Sequence, residues 1–204
     1  MSNKGLLIVL SAPSGAGKST ICREYLRKNP RAVYSVSFTT RAPRKGEKNG
    51  VDYFFITDDE FRKMLKKNAF LEHADVFGRK YGTGRAVVEN ALKKGKDVLL
   101  DIDVQGAVQL MDRVKGVFIF VLPPSRTALA ARLKGRKTDR KNEILKRLKI
   151  AKKEISYIDR YDYVIINNKL SESLSLMQSI IKAEKCGVKN NISFIKKFKR
   201  DFLY

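Results

Sequence analysis

The chain's 204 residues are enough for one domain with a real buried core and room for small insertions. With 43% hydrophobic and 31% charged residues it falls in the globular range, and it contains no unbroken apolar run of about 18 residues that could span a membrane. Lysine and arginine number 43 against 21 acids, so the net charge of +22 points to a polyanionic partner or substrate unless the excess is compositional drift toward lysine.

Residues 1–5 lead straight into apolar residues 6–10, which read as a buried strand and not as a signal peptide. Cys22 and Cys186 stand far apart without metal-type spacing, which argues against a disulfide framework or zinc site and fits a reducing, cytoplasmic setting. The only histidine, His73, excludes any mechanism that needs two imidazoles. The short runs at 5–10, 98–100, 117–122 and 163–166 predict buried strands of a parallel sheet. Helical patterns alternate with them at 19–28, 84–94, 105–113, 125–134, 141–158 and 171–184, the last with Ser171 as N-cap. This alternation predicts an α/β fold with helices on both faces of the sheet. Between 34 and 81 the rhythm breaks into strands at 34–39, 52–56 and 70–77 and a short helix near 58–67, predicting a small α+β insert. The polar stretch 135–142 has the composition of a mobile lid.

Between the first strand and first helix lies Ser11-Ala12-Pro13-Ser14-Gly15-Ala16-Gly17-Lys18-Ser19-Thr20. A loop there can surround the phosphates of a nucleoside triphosphate with backbone N–H groups, while Lys18 reaches the β/γ oxygens and Ser19 ligates Mg²⁺. Ala12 replaces the usual first glycine, which is tolerable only if its φ is negative. Asp101 and Asp103 follow the strand at 98–100, where open α/β sheets bind ligands. Either acid can serve Mg²⁺; capping the next helix or pairing with an arginine stays open as the alternative.

Residues 35–44 (Ser-Val-Ser-Phe-Thr-Thr-Arg-Ala-Pro-Arg), Gly46-Glu47, Gly50, Asp52-Tyr53-Phe54, Phe70-Leu71-Glu72, Tyr81-Gly82-Thr83 and 101–106 (Asp-Ile-Asp-Val-Gln-Gly) resemble, in order and spacing, the GMP-binding sequence of guanylate kinases. The resemblance covers about 4–185. It implies a P-loop kinase core at 4–33 and 95–185, a GMP-binding insert at about 34–90 and a lid at about 135–147. It also implies the reaction ATP + GMP to ADP + GDP with Mg²⁺ as cofactor.

Under that resemblance, Arg41 and Arg44 pair with the GMP phosphate and Tyr53 and Tyr81 donate to it. Guanine offers N1–H and a 2-amino group as donors and O6 as acceptor. Glu72 would therefore take both donors, Ser37 would serve O6, and Thr83 is a further contact. Strand parity puts Glu72 with Phe70, Ala74 and Val76, facing apolar neighbours. Asp101 and Asp103 complete the GMP side. Arg132, Arg136 and Arg147 are the lid and transfer arginines, with Lys18, Arg41, Arg136 and Arg147 catalytic. Arg132 and Asn167 join residues 11–20 on the ATP side, Asn167 with Asn168 at the adenine end. Arg140 and Lys141 depart from the more acidic lid expected.

Three rivals are a peptide-binding scaffold on the same fold, a P-loop nucleic-acid-binding protein and a kinase for another monophosphate. The intact Lys18 and Ser19 oppose the first, the lack of a recognisable RNA or DNA motif the second, and the spacing of Glu72 and Ser37 the third. Residues 186–204 form a basic extension with Ile192, Ile195, Phe198 and Phe202 at helical spacing and Lys196, Lys197, Lys199 and Arg200 opposite. The favoured expectation is that the apolar stripe packs on the core or on a second subunit; contact with nucleic acid or an anionic surface is the alternative. Monomer and homo-oligomer both stay open.

Overall fold

The computed structural model describes residues 5–76, 78–134 and 141–203. In chain order the elements are β1 (Leu7–Ser11), α1 (Lys18–Lys28), β2 (Ala32–Tyr34), β3 (Phe38–Thr39), β4 (Phe54–Phe55), α2 (Asp58–Lys66), β5 (Phe70–Val76), β6 (Arg79–Gly84) and α3 (Arg85–Lys93). They continue with β7 (Asp97–Asp101), α4 (Val104–Met111), β8 (Val117–Leu122), α5 (Arg126–Lys134), α6 (Lys141–Ile155), β9 (Tyr163–Ile166), α7 (Leu170–Cys186) and α8 (Ile192–Leu203).

The core sheet has the order β2-β7-β1-β8-β9 and is parallel throughout. Alternation along β1 divides its side chains between two hydrophobic clusters. Ile8 and Leu10 join Leu99, Ile119, Val121 and Ile165 against Ile21 and Tyr25 of α1 and Leu174, Met177 and Ile181 of α7. Leu7 and Val9 join Val98, Leu100 and Phe118 against Val88 of α3 and Ala107 and Leu110 of α4. Burial on both faces explains why β1, β7 and β8 read as continuous apolar runs, whereas β9, expected to be buried, is an edge strand that leaves Val164 and Ile166 exposed. A third cluster, Leu129, Leu133 and Ala151 with Leu148, fastens α5 to α6.

The insert forms its own sheet, β4-β3-β6-β5, mixed in direction. A register shift between Phe70 and Glu72 lets Leu71 join the second core cluster. The insert is therefore anchored to the core at the residue beside Glu72.

Four further expectations need correction. The strand expected at 34–39 is two strands in two sheets: Ser35 N–H still donates to Leu99 O of the core at 3.0 Å, while Ser37 O accepts from Phe54 N–H of the insert at 2.9 Å. The chain crosses between sheets over these three residues. β6 was not anticipated, because Gly82, Gly84 and the polar residues among them break the strand alternation. Ser171 does not cap α7, whose N-cap is Lys169, since Leu170 is already helical and packs against the first core cluster. Finally, α8 makes its main contacts with the 3-10 turn Val188–Asn190 and leaves Ile192, Phe194, Phe198, Phe202 and Leu203 exposed, with Ile195 half-buried, so its stripe does not pack back on the core.

Candidate active site

Strand β1 delivers the chain to residues 12–17, and α1 starts at Lys18 with Gly17 as its N-cap. Gly15 and Gly17 have φ of 91° and 95°, which a side chain rarely adopts, whereas Ala12 is not among the positive-φ residues and its methyl is accommodated. A Cβ on Gly17 would in addition overlap the Asn167 amide.

That amide shows how the loop is held. Asn167 Nδ2 donates to Ala16 O at 2.7 Å, and its Oδ1 accepts from Ser173 Oγ at 3.0 Å. Arg132 donates to Ala16 O at 3.2 Å and to Asn167 O at 2.9 Å. Both polar ends of the Asn167 side chain are thus engaged within the protein, one on the loop and one on Ser173 of α7. From α6, Arg147 donates to Ser14 Oγ at 3.1 Å. Arg136 and Arg140 lie outside the described residues, as does the 135–140 part of the expected lid.

Lys18 Nζ stands 2.7 Å from Asp101 Oδ1 and donates to Ile102 O at 2.5 Å. Burial opposes its charge, but the charge and hydrogen bond of Asp101 outweigh that, and the ammonium is held above its ordinary value. Beneath the loop, burial pushes the Cys22 thiol well up, so it is no nucleophile at neutral pH. Asp103 takes the capping alternative: it is the N-cap of α4 and accepts from Gly106 N–H at 2.8 Å. Burial raises its pKa nonetheless.

Glu72 is 4% exposed, and its Oε1 accepts from Thr83 Oγ1 at 2.5 Å. Burial, reinforced by the charge of Asp103, pushes its carboxyl up to about 7. A Cβ on Gly106 would overlap the Glu72 carboxylate, so the acid lies directly over the start of α4. Ser37 and Thr83 are buried as well. Nearby in sequence, Ser35 Oγ is buried without a hydrogen-bond partner among the described residues.

On the rim of the insert, Arg41 lies 2.8 Å from Glu47 Oε1, donates to Ala42 O and sits over the Tyr53 ring at 5.3 Å. Glu47 Oε2 accepts the Arg44 N–H at 2.7 Å, so one acid fixes the Arg41 side chain and the Arg44 backbone. The Arg41 hydrogen bond holds the Glu47 carboxyl below its ordinary value. Tyr53 and Tyr81 meet edge to face at 5.9 Å. The two halves converge: Tyr53 feels Asp101 and Lys18, and Glu72 feels Asp103 and Lys18.

Sequence reasoning gave no role to Glu47, although it lies in the quoted motif, and missed Glu154 altogether. Glu154, on the last turn of α6, is half-buried, and burial pushes it up to about 7, against the opposing charge of Lys18. It lies in a lysine-rich helix that reads as a solvated face, so no local signal marked it.

A phosphate loop with its lysine at the carboxyl edge of a parallel sheet, facing an insert with its own buried acid, defines the P-loop nucleoside monophosphate kinase class. Comparison with known proteins narrows this. The guanylate kinase family model matches residues 4–184. The guanylate kinase of Clostridium tetani is 49% identical over 91% of this chain and 89% of its own length, and that of Clostridioides difficile 48% identical over 97% and 98%. The crystal structure of guanylate kinase from Anaplasma phagocytophilum superposes with a TM-score of 0.82 at 36% identity, covering 99% of this chain and 97% of that one. The chain belongs to the guanylate kinase family, and its function is that of a guanylate kinase. The family model ends at 184, yet the C. difficile and A. phagocytophilum proteins align through nearly the whole chain, so the C-terminal extension is shared with relatives.

Proposed function

We propose that the chain transfers the γ-phosphoryl group of ATP to GMP with the following division of labour. Glu72 accepts the guanine N1–H and 2-amino hydrogens, held by Thr83, with Ser37 at O6. Arg41, Arg44, Tyr53 and Tyr81 bind the GMP phosphate, and Asp101 and Asp103 close the floor between the sites. Residues 11–20 bind the ATP phosphates, Lys18 reaches the β/γ oxygens, and Arg132, Arg136 and Arg147 serve the transferring group. Asn167 acts on the ATP side by holding the loop. The observation that carries this reading is the buried Glu72–Thr83 pair within electrostatic reach of Lys18. A carboxylate buried at that cost needs a ligand with two donors.

No general base is required, because the attacking phosphate of GMP is largely ionised at pH 7 with a second pKa near ~6. The residues align the two nucleotides, stabilise charge and exclude water. Mg²⁺ is the implied cofactor, and the donors suit it: the Ser19 hydroxyl on the first turn of α1 and the Asp101 carboxylate are hard oxygen ligands. No cluster of three His, Cys, Asp or Glu stands among the described residues, so nucleotide oxygens and water would supply the rest of the shell. When bound, the ion neutralises charge on the β- and γ-phosphates.

Two free cysteines, and no helix among the described residues long and apolar enough to cross a membrane, support a cytoplasmic setting. The test is a coupled ADP-release assay with ATP against GMP, AMP, CMP, UMP and dTMP. Turnover confined to GMP supports the assignment, and comparable turnover of AMP would refute it.

A further inference from the structure

Helix α8 carries chemistry that phosphoryl transfer does not use. Ile192, Phe194, Phe198, Phe202 and Leu203 are between 45% and 75% exposed. The three phenyl rings form a continuous ladder, Phe194 to Phe198 at 6.2 Å and Phe198 to Phe202 at 4.8 Å, with nearly parallel planes. The apolar positions fill about half of the helix circumference. Lys196, Lys197 and Arg200 occupy the other half, Lys199 lies within the apolar half between Ile195 and Ile192, and Asp201 is the one acid of the helix. The helix is held at its angle by a polar corner: Asn190 Nδ2 donates to Glu184 O, and Asn191 Nδ2 to Lys185 O and Gly187 O, at 2.7, 2.7 and 2.9 Å. These bonds cap the end of α7 and project α8 from the domain with its apolar face largely uncovered, Ile195 alone among its apolar side chains being half-buried.

We propose that α8 is an interfacial helix that seats this kinase on an anionic lipid bilayer. Phe194, Phe198 and Phe202 enter the boundary between headgroups and acyl chains, and the lysines meet the lipid phosphates. An uncovered apolar face with a cationic face behind it is the pattern that lies in a membrane interface, and long lysine stems such as that of Lys199 reach from it to the headgroups. Charge complementarity selects this occupant. A second copy would bring another +22 chain and four more helix cations against these. A helix about 18 Å long and about 10 Å wide also offers much less than the roughly 800 Å² per partner of a stable interface. Single-stranded nucleic acid needs aromatic and cationic groups in one groove, whereas here Lys196, Lys197 and Arg200 lie opposite the rings and the rings stack on one another. The net charge of the whole chain adds long-range attraction to the same surface.

The sequence contains no tryptophan, so Phe198→Trp places a single fluorescent reporter on the full-length chain. On adding phosphatidylcholine–phosphatidylglycerol vesicles, its emission is expected to shift to the blue and to be quenched by brominated acyl chains. Phosphatidylcholine alone should leave it unchanged. Lys196→Gln and Lys197→Gln should each lower partitioning roughly fivefold, and high salt should weaken it further. In a co-sedimentation assay Phe198→Asp and Phe202→Asp should remove vesicle binding with GMP phosphorylation retained, which also shows that the variants fold. Equal binding to neutral vesicles would overturn the proposal. So would unchanged emission with anionic vesicles, whether sedimentation equilibrium then revealed a dimer split by Phe198→Asp or the chain were held by RNA through the lysines alone.

Discussion

Replacing Glu72 by glutamine changes one atom's hydrogen-bonding sense at the centre of the proposed base pocket. In the parent, Oε1 is committed to the Thr83 hydroxyl, and the carboxylate as a whole offers only acceptors to two guanine donors. The amide supplies one acceptor and one donor, so in either orientation one buried donor meets another donor. The cost of such a mismatch is roughly 1–3 kcal/mol, which corresponds to a loss of about 5- to 150-fold in kcat/KM for GMP. The KM for ATP should hold, because the ATP loop is secured by Asn167, Arg132 and Ser173 instead. The free protein should respond in the opposite sense. Since burial raises the Glu72 pKa from 4.5 to about 7, folding is favoured by its protonation at low pH. That contribution is lost as pH rises from about 4.5 through 7, worth roughly 3 kcal/mol. The glutamine variant has no such titration, so its Tm at pH 8 should equal or exceed the parent's. Guanine recognition needs the ionised acid, so the parent's KM for GMP should rise as pH falls below about 7, while the variant retains only the phosphate limb near ~6. Steady-state kinetics with GMP and ATP from pH 5.5 to 8.5, beside thermal melts of both proteins, make the measurement. A variant within about twofold of the parent in kcat/KM for GMP, or one whose ATP and GMP constants fall together, would refute the base-pocket reasoning.

Gly106→Ala should raise the KM for GMP selectively, because the new methyl overlaps the Glu72 carboxylate, and an unchanged KM would mean that Glu72 moves freely. Gly17→Ala combines a left-handed φ with overlap of the Asn167 amide, so titration calorimetry should show ATP binding lost and melts should show a lower Tm. Lys18→Ala should abolish turnover while GMP still binds, and should destabilise the fold by about 3 kcal/mol as Asp101 loses its partner in a largely buried site. Collapse of GMP affinity together with turnover would show that the two sites are not separate.

The phosphate loop and the three central core strands were legible because their chemistry is local: a strand buried on both faces has to be apolar, and a loop that surrounds phosphates needs glycine, lysine and hydroxyl at fixed spacing. The base-pocket residues were legible through the resemblance, and parity along β5 already pointed Glu72 inward. What stayed hidden depends on partners distant in sequence. Asn167 has an ordinary strand-ending context, and nothing local says that its amide will close on Ala16. Glu154 sits among lysines, and only tertiary packing brings it toward Lys18. β6 was missed because its glycines and polar residues deny it the strand pattern, although Thr83 and Tyr81 both lie on it. For α8 the periodicity specified an apolar face but not what would cover it.

The bonds on Ala16 O also bear on how the protein is made. The phosphate loop is encoded within the first 20 residues, but its ties come from Arg132, 116 residues later, and Asn167, 151 residues later. At about 5–20 residues per second, a ribosome finishes that stretch roughly 8 to 30 s after the loop has been synthesised. For most of that interval the growing chain carries the nucleotide motif without the side chains that hold its shape. Nascent chains halted before residue 167 should therefore fail to retain ATP even though every residue of the motif is present, and chains extended past Ser173 should gain it in one step.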